Sequence, residues 1–253
     1  MTGTITVRKC NSLEEFDACV QLQREIWNEA DLEIEPSTLF VVAANTGGQV
    51  LGAFDGPQLV GYTLALAGLR DGIPYLHSHM TGVKDGYRDR GVGRSLKLFQ
   101  REEALSRGIC RVEWTFDPFE LRNAHFNLNR LGAVCRRYMP NLYGVTTSPL
   151  HRDIPTDRLV AEWYLDTPRV NGAISDHPQP PLSPTVTVEL PTSLEVWKKS
   201  DPAQLMQLQL RIREEFKSWF AQGFEAYGVL STEKGSAYVL RPVTDATQQG
   251  KKA

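Results

Sequence analysis

The hydrophobic pattern of the first two thirds of the chain switches repeatedly between a period of two and a period of 3.6 residues. Alternation over 4–9 is typical of a strand, whereas apolar residues at helical spacing follow Asn11 and Ser12, which are suited to cap a helix. Short polar runs with glycine or proline separate the segments and mark turns. The pattern predicts, in order, a strand at 4–9, a helix ending near Asn28, a helix at 38–44, strands at 49–54, 58–67 and 75–83, a helix at 92–106, a strand at 110–116, a helix at 122–131, and strands at 133–138 and 157–166.

The pattern changes beyond residue 166, because prolines accumulate between 167 and 185. Such a composition favours a linker or an extended arm over a core element. A second compact segment follows, with a strand at 185–190, a helix at 201–221 and strands at 224–231 and 236–241. We therefore expect a first domain at 1–166, a proline-rich linker at 167–185 and a C-terminal strand-helix-strand-strand extension at 186–253.

The composition is that of an ordinary globular protein, with 253 residues, 41% of them hydrophobic and 23% charged. The formal net charge is −2, so no global positive field favours nucleic acid. No run approaches the roughly 20 apolar residues that span a membrane, and no long apolar segment of the signal-peptide type precedes the first strand. We therefore expect a cytoplasmic protein that binds neither nucleic acid nor membrane; a homodimer is left open.

The cysteines give no sign of a metal site or a disulfide framework. None belongs to a C-x-x-C pair, and none has a histidine at the spacing of a zinc ligand. We expect buried, reduced thiols and no metal. The four are Cys10, Cys19, Cys110 and Cys135.

The loop between the strand at 75–83 and the next helix carries the clearest chemical signal. The helix begins within the last glycines of this loop, where backbone N–H groups lack intrahelical partners and the helix dipole adds partial positive charge. Glycine removes side chains that would keep an anion away, and arginines can add charge-assisted hydrogen bonds to phosphate oxygens. The segment reads Arg88-Asp89-Arg90-Gly91-Val92-Gly93-Arg94. It predicts a phosphate-binding loop; the alternative is a glycine-rich turn with solvated arginines.

Two other phosphate-binding motifs are excluded by the sequence. A mononucleotide P-loop ends in Gly-Lys followed by Ser or Thr, and that ending is absent here. A dinucleotide site needs a third glycine three positions after Gly93, where the chain has Leu96.

The segment resembles the Arg/Gln-x-x-Gly-x-Gly/Ala signature of the GCN5-related N-acetyltransferases (GNAT), with Val83 in the position of the valine that ends strand four in that family. Asn123 and Ala124, followed by Gly132, are loosely similar to the later Asn-x-x-Ala…Gly-Phe region. The resemblance covers about 4–166 and implies an α/β fold, mixed α+β, whose central, mostly antiparallel sheet is splayed between strands four and five. The C-terminal α/β extension is not explained by it.

The resemblance implies that an acyl-CoA, most simply acetyl-CoA, is the co-substrate and that a small-molecule amine is the acceptor. The pantetheine arm would pair with the backbone of strand four, at Met80, Thr81, Gly82 and Val83, and Asn123 would contact it. The pyrophosphate would lie on the amides of Arg88, Asp89, Arg90, Gly91, Val92, Gly93 and Arg94. The amine would attack the thioester directly, while a backbone amide of strand four stabilises the oxyanion.

The position of the tyrosine that acts as general acid in many family members is taken by Leu128. Tyr138 and Tyr143 lie further along the chain, and either could substitute in space or simply pack. This departure concerns the leaving thiolate and not the binding of CoA.

Three residues are candidates for the base that deprotonates the amine. His77 and His79 alternate on strand four, so they share a face of the sheet, and imidazole titrates near neutral pH; the alternatives are packing or a metal. Glu113 on strand five would have a raised pKa if it were buried alone, and it could then act as the base. The alternative to this role is an ion pair with Arg111 or Arg136.

Two further functions remain open from the sequence. One is a non-catalytic module that binds acyl-CoA and senses CoA status through the C-terminal extension. The other is a protein N-acetyltransferase. Turnover of acetyl-CoA with a panel of amines distinguishes the enzyme from the sensor.

Overall fold

The computed structural model describes residues 4–27, 34–144, 154–177 and 185–243. The predicted end of the first helix near Asn28 lies outside these residues, as does part of the proline-rich segment. By its internal contacts the chain divides into two compact units, Met1–Val112 and Glu113–Ala253. The division at residue 166 inferred from composition stays a prediction.

The first unit is an antiparallel meander with three helices. Strand β1 pairs with β2, β2 with β3 and β3 with β4, each time antiparallel. The elements are β1 (Ile5–Lys9), α1 (Leu13–Trp27), α2 (Ser37–Asn45), β2 (Gln49–Asp55), β3 (Gln58–Arg70), β4 (Ile73–Val83) and α3 (Val92–Ser106).

Apolar residues cover both faces of this meander. One cluster joins α1 and α2 to the sheet and includes Phe16, Phe40 and Tyr62, which are 5% exposed or less. A second cluster contains Val92 and Leu96 of α3. Burial on both faces explains why β2 reads as a nearly continuous apolar run and not as a clean alternation.

Strand β4 contains a β-bulge that was not predicted from the sequence. Leu64 of β3 pairs with Met80, but the next residue, Ala65, pairs with Ser78. His79 is therefore the extra residue of a β-bulge, which is left out of the ladder and bends the strand locally.

The second unit contains a mixed set of strands and helices. Its strands follow the order β5-β7-β6-β9-β10-β8, and β9 pairs antiparallel with β6, so the C-terminal extension continues the sheet of this unit. The elements are β5 (Arg111–Phe116), which enters from the first unit, α4 (Leu121–His125), β6 (Val134–Met139), β7 (Arg158–Tyr164), α5 (Pro168–Ile174), β8 (Val186–Pro191), α6 (Leu194–Ser200), α7 (Pro202–Ala221), β9 (Phe224–Thr232) and β10 (Gly235–Pro242).

The proline-rich segment differs from its prediction as a linker outside the core. Its first part forms α5, in which Thr167 caps the N-terminus and Pro168 occupies the first turn, where a missing N–H costs nothing. Val170 and Ala173 are buried. Proline content alone therefore did not distinguish an arm from a short packed helix, and α6 was also not predicted.

Candidate functional site

The turn that begins α3 is open in front of the first helical amides. Gly91 is the N-cap residue, with a φ of 79°, and among the described residues no side chain caps this helix end. A Cβ atom placed on Gly91 would meet nothing within 4 Å. A glycine is favoured here by the left-handed backbone, and the space beyond it is free for a ligand.

Arg88 and Arg90 of this loop are on its surface, and Arg94 is half-buried. Arg88 contacts Asp85 at 2.9 Å and donates to the carbonyl of Val83 at 3.2 Å, and Arg90 lies over the ring of Tyr87 at 5.3 Å. Exposed ion pairs of this kind contribute little to stability, so the arginines can turn towards an anion at low cost. Asp89, with a φ of 63°, is exposed in the same turn.

Val92 and Gly93 face the protein. Val92 is 2% exposed and packs in the second apolar cluster, while a Cβ on Gly93 would touch Val83 at 3.8 Å. Only their backbone amides are oriented for a ligand, since amides of the first turn have no intrahelical acceptor.

The four residues of β4 expected along the pantetheine arm lie just beyond the bulge. Met80, Thr81, Gly82 and Val83 pair with β3 along one edge. Packing against α1 requires a glycine at position 82, because a Cβ atom there would lie 2.8 Å from side-chain atoms of Ile26 and Trp27.

His77 and His79 share a face of β4, as their spacing predicted, with ring centroids 6.2 Å apart. His79 Nε2 lies 2.8 Å from Glu35 Oε1, and both side chains are about 30% exposed, at 28% and 31%. A carboxylate at this distance fixes the orientation of the imidazole ring. Glu35 was not identified from the sequence, because it stands 44 positions from His79.

Glu113 is buried in an ion pair. It is 2% exposed and accepts from Arg137 at 2.7 Å; Arg137 also donates to Glu162 at 3.0 Å. One partner of Glu113 is therefore Arg137 on β6, which was not identified from the sequence; an ion pair with Arg111 or Arg136 stays a prediction. The Arg137 guanidinium thus holds the Glu113 carboxylate in place by a charge-assisted hydrogen bond.

The tyrosines and asparagines of the second unit separate into buried and exposed groups. Tyr138 donates to Asp157 at 2.8 Å, and burial, with Asp157 beside the hydroxyl, raises the pKa of Tyr138; it is a packing residue. Tyr143 is 48% exposed, and its hydroxyl lies 2.7 Å from Thr115 Oγ1 of β5. Asn123 is exposed on α4.

The comparisons with known proteins concern the fold. No family model matches the sequence, and no curated protein matches it. Solved structures of N-acetyltransferases do match. The ribosomal-protein-S18-alanine N-acetyltransferase of Escherichia coli has a TM-score of 0.52 at 12% identity, over 64% of this chain and 94% of that chain.

Two further structures give the same result. Arabidopsis thaliana NAA60 in complex with acetyl-CoA matches with a TM-score of 0.51 at 18% identity, over 64% of this chain and 99% of that chain. An acetyltransferase of the GNAT family from Streptococcus pneumoniae matches with a TM-score of 0.50 at 16% identity, over 63% of this chain and 98% of that chain. The expected GNAT fold is therefore confirmed.

Proposed function

We propose that this chain, which has the GNAT fold, is an acyl-CoA-dependent N-acyltransferase that uses acetyl-CoA and transfers the acyl group to a small-molecule amine. The observation that carries the proposal is the start of α3. Gly91 has a left-handed backbone with open space beyond it, and Arg88, Arg90 and Arg94 flank it. Amides, dipole and guanidinium groups at one point form the chemistry that binds a pyrophosphate.

The acceptor amine needs a base, because an amine with a pKa well above 7 is mostly protonated near neutral pH. His79 fits this role best, since Glu35 holds its ring by the 2.8 Å contact. Proton transfer from the ammonium to imidazole leaves a neutral amine that can attack the thioester carbonyl. His77, on the same face, is the second candidate.

The oxyanion that forms during attack needs a fixed donor. A β-bulge takes one residue out of the ladder, and His79 is that residue in β4. A backbone amide at the His79 bulge is therefore proposed to stabilise the negative charge that develops on the thioester oxygen.

We expect the thiolate to leave without the usual tyrosine, because that position is Leu128, which is fully buried. A thiol of pKa about 8.5 is a good leaving group even without a donor.

Protein N-termini are a second class of acceptor. The E. coli structure of similar fold is named for N-acetylation of ribosomal protein S18 at alanine, and an N-terminal amine presents the same nucleophile. An acceptor panel should therefore hold small amines beside a peptide that begins with alanine, with free thiol as the readout. Turnover of the peptide and not of the small amines would contradict the proposed acceptor class.

The loop can be tested by Gly91→Glu, which places a negative charge where the pyrophosphate should lie. We expect CoA affinity, measured by calorimetry, to fall at least 100-fold, which corresponds to about 2.8 kcal/mol. The fold should persist, since a side chain at Gly91 meets nothing within 4 Å.

Gly91→Gln is the matched control. It introduces the same bulk and the same backbone strain without the charge, so its loss of affinity should be clearly smaller. CoA affinity like that of the wild type in Gly91→Glu, with an unchanged circular dichroism spectrum, would contradict the proposed function.

A further inference from the structure

The C-terminal extension contains a cavity at the end of β8. Its volume is about 440 Å³, which lies within the range of about 300–1,000 Å³ that small-molecule sites occupy. One face of α7 forms a wall of this cavity, because four of its lining residues follow the helical spacing i, i+3, i+4 and i+7. These residues are Gln204, Gln207, Leu208 and Arg211.

The floor of the cavity is apolar. Leu190, which is 1% exposed, lies beside Pro191 at the end of β8, and the half-buried indole ring of Trp197 on α6 lines the same space. The next residue, Lys198, is buried and contacts Glu120 at 2.8 Å, which holds α6 in place. A ligand with an apolar group therefore meets a fixed aromatic ring and aliphatic side chains.

Three charged side chains line the cavity next to this floor. The Arg211 guanidinium donates to the backbone carbonyl of Glu189 at 2.6 Å and contacts Glu215 at 2.5 Å, so it is held beside Glu189. Lys234 lies in the turn between β9 and β10, and its carbonyl accepts from the Thr192 N–H at 3.1 Å, which ties this turn to the end of β8. The lining thus combines the cations of Arg211 and Lys234 with the carboxylate of Glu189.

This combination is complementary to a zwitterion with an apolar side chain. A carboxylate matches the guanidinium of Arg211 and the ammonium group of Lys234, whereas a simple anion would leave the carboxylate of Glu189 without a counterpart. In an α-amino acid the ammonium and carboxylate groups share one carbon atom, just as Arg211 and Glu189 are direct neighbours in the cavity. The amides of Gln204 and Gln207 can donate to or accept from either group.

We propose that this cavity binds a free α-amino acid with a large apolar side chain. Its carboxylate lies against Arg211 and Lys234, its ammonium group against Glu189, and its side chain against Trp197. The site is formed by 189–234, and none of the residues proposed to bind acyl-CoA belongs to this range. The proposal therefore goes beyond the proposed function and gives the C-terminal extension a ligand of its own.

The test is calorimetry with L-phenylalanine as the probe and the full-length protein. We expect a Kd of about 1 mM or tighter. Three analogues each lack one recognised group: 3-phenylpropanoate has no ammonium group, L-phenylalaninamide has no carboxylate, and glycine has no apolar side chain. Each should bind about 10-fold more weakly or worse, because a charged group or the indole ring then has no counterpart.

Variants assign each interaction to its residue. Glu189→Gln should weaken L-phenylalanine about 10-fold and leave 3-phenylpropanoate unchanged, because only the amino acid carries the ammonium group. Lys234→Gln should weaken both probes, and Trp197→Ala should remove binding of both. Glu233→Gln is the matched control, since this exposed glutamate precedes Lys234 but does not line the cavity. Circular dichroism checks the fold of each variant.

Three outcomes would overturn the amino-acid site. The first is no binding of L-phenylalanine at about 10 mM. The second is equal affinity for 3-phenylpropanoate, which would make the ligand a simple anion. The third is wild-type affinity in both Trp197→Ala and Glu189→Gln, which would place the binding elsewhere in the protein.

The same measurements separate this inference from the proposed function. Gly91→Glu, which should lose CoA binding, should bind L-phenylalanine like the wild type. Binding of CoA without binding of L-phenylalanine overturns the amino-acid site and leaves the N-acyltransferase standing. Binding of L-phenylalanine without binding of CoA supports the amino-acid site and overturns the proposed function.

Discussion

At the scale of single residues, the contacts of β4 decide the chemistry that this strand can support. His79 has the Glu35 carboxylate at 2.8 Å, and Ser78 has the Lys97 amine at 2.8 Å. The sequence predicted the shared face of His77 and His79, because alternation along a strand is a local property. It could not predict Glu35 or Lys97 as partners, since each is brought there by packing.

The histidines can be assigned by their effect on the pH profile of kcat/KM. We expect His79→Ala to lower kcat/KM about 100-fold or more and to displace the acidic limb, because the variant lacks the base. His77→Ala should have the smaller effect, since the Glu35 contact is made by His79. His177→Ala, an exposed histidine, is the control.

A larger loss in His77→Ala would contradict the assignment. If both single variants and the double variant keep the rate and the limb of the wild type, these histidines are packing residues. The base would then be an ordered water.

Lys97 should make stability depend on pH. Its pKa falls from 10.5 to about 7 on folding, so between these values the unfolded chain holds one more proton than the folded chain. The free energy of unfolding therefore rises with pH across this window, by up to about 1.4 kcal/mol per pH unit from this group. Below about pH 7 the destabilisation is fully present.

Lys97→Met should remove this component, so urea denaturation should show the variant more stable than the wild type near pH 7 and the difference shrinking towards pH 10. Lys217→Met, an exposed lysine, gives the background pH dependence. A difference that stays constant with pH would argue against a neutral Lys97 near pH 7.

At the scale of elements, the helix predicted at 122–131 illustrates how a local rule fails. It begins as α4 and continues as a π-helical turn, Phe126–Arg130, in which Leu131 N–H reaches the carbonyl of Phe126 at 3.0 Å. A period of 3.6 would place Asn123 and Asn127 on one face, but Asn123 is exposed and Asn127 is 2% exposed. The wider turn rotates the following residues, and an apolar pattern does not report such an insertion.

Asn129 in this turn has a structural partner. Its side chain donates to the Val229 carbonyl at 3.1 Å and accepts from the Val229 N–H at 2.9 Å. Asn129→Ala should therefore lower the free energy of unfolding by about 1–3 kcal/mol, since two backbone groups of β9 lose their partner. Chemical denaturation measures this change.

Asn123→Ala is the matched variant on the same helical segment. Stability should change by less than about 0.5 kcal/mol, because the residue is exposed, whereas CoA affinity should fall if Asn123 contacts the pantetheine arm. A stability loss in Asn123→Ala as large as that in Asn129→Ala would contradict this separation of roles.

At the scale of the whole molecule, the segment after β7 is better integrated than its composition indicated. Arg169 of α5 donates to the carbonyls of Leu128 at 2.8 Å and Gly132 at 2.9 Å, at the end of the π-helical turn. Its guanidinium group also lies 3.6 Å from the ring centre of Tyr227 on β9. Within the described part of the chain, no helix is both long enough and apolar enough to cross a membrane.

The absence of a metal requirement is a prediction for the whole protein. Over the described ranges, no group of three or more His, Cys, Asp or Glu side chains could hold a metal ion. Chelator-treated protein should keep its thermal midpoint and its acyl transfer rate. A loss of either that zinc restores would show that His77 and His79 bind a metal.

The sequence by itself determined the order of strands and helices up to β7, the start of α3 at Gly91 and the common face of His77 and His79. Each depends on neighbours within a few positions: a hydrophobic period, a glycine with a left-handed backbone, an alternation. Tertiary structure alone decided the bulge at His79, the Glu35 and Lys97 contacts and the helix within the proline-rich segment. The physical reason is that register and packing join residues far apart along the chain, and no local pattern contains that information.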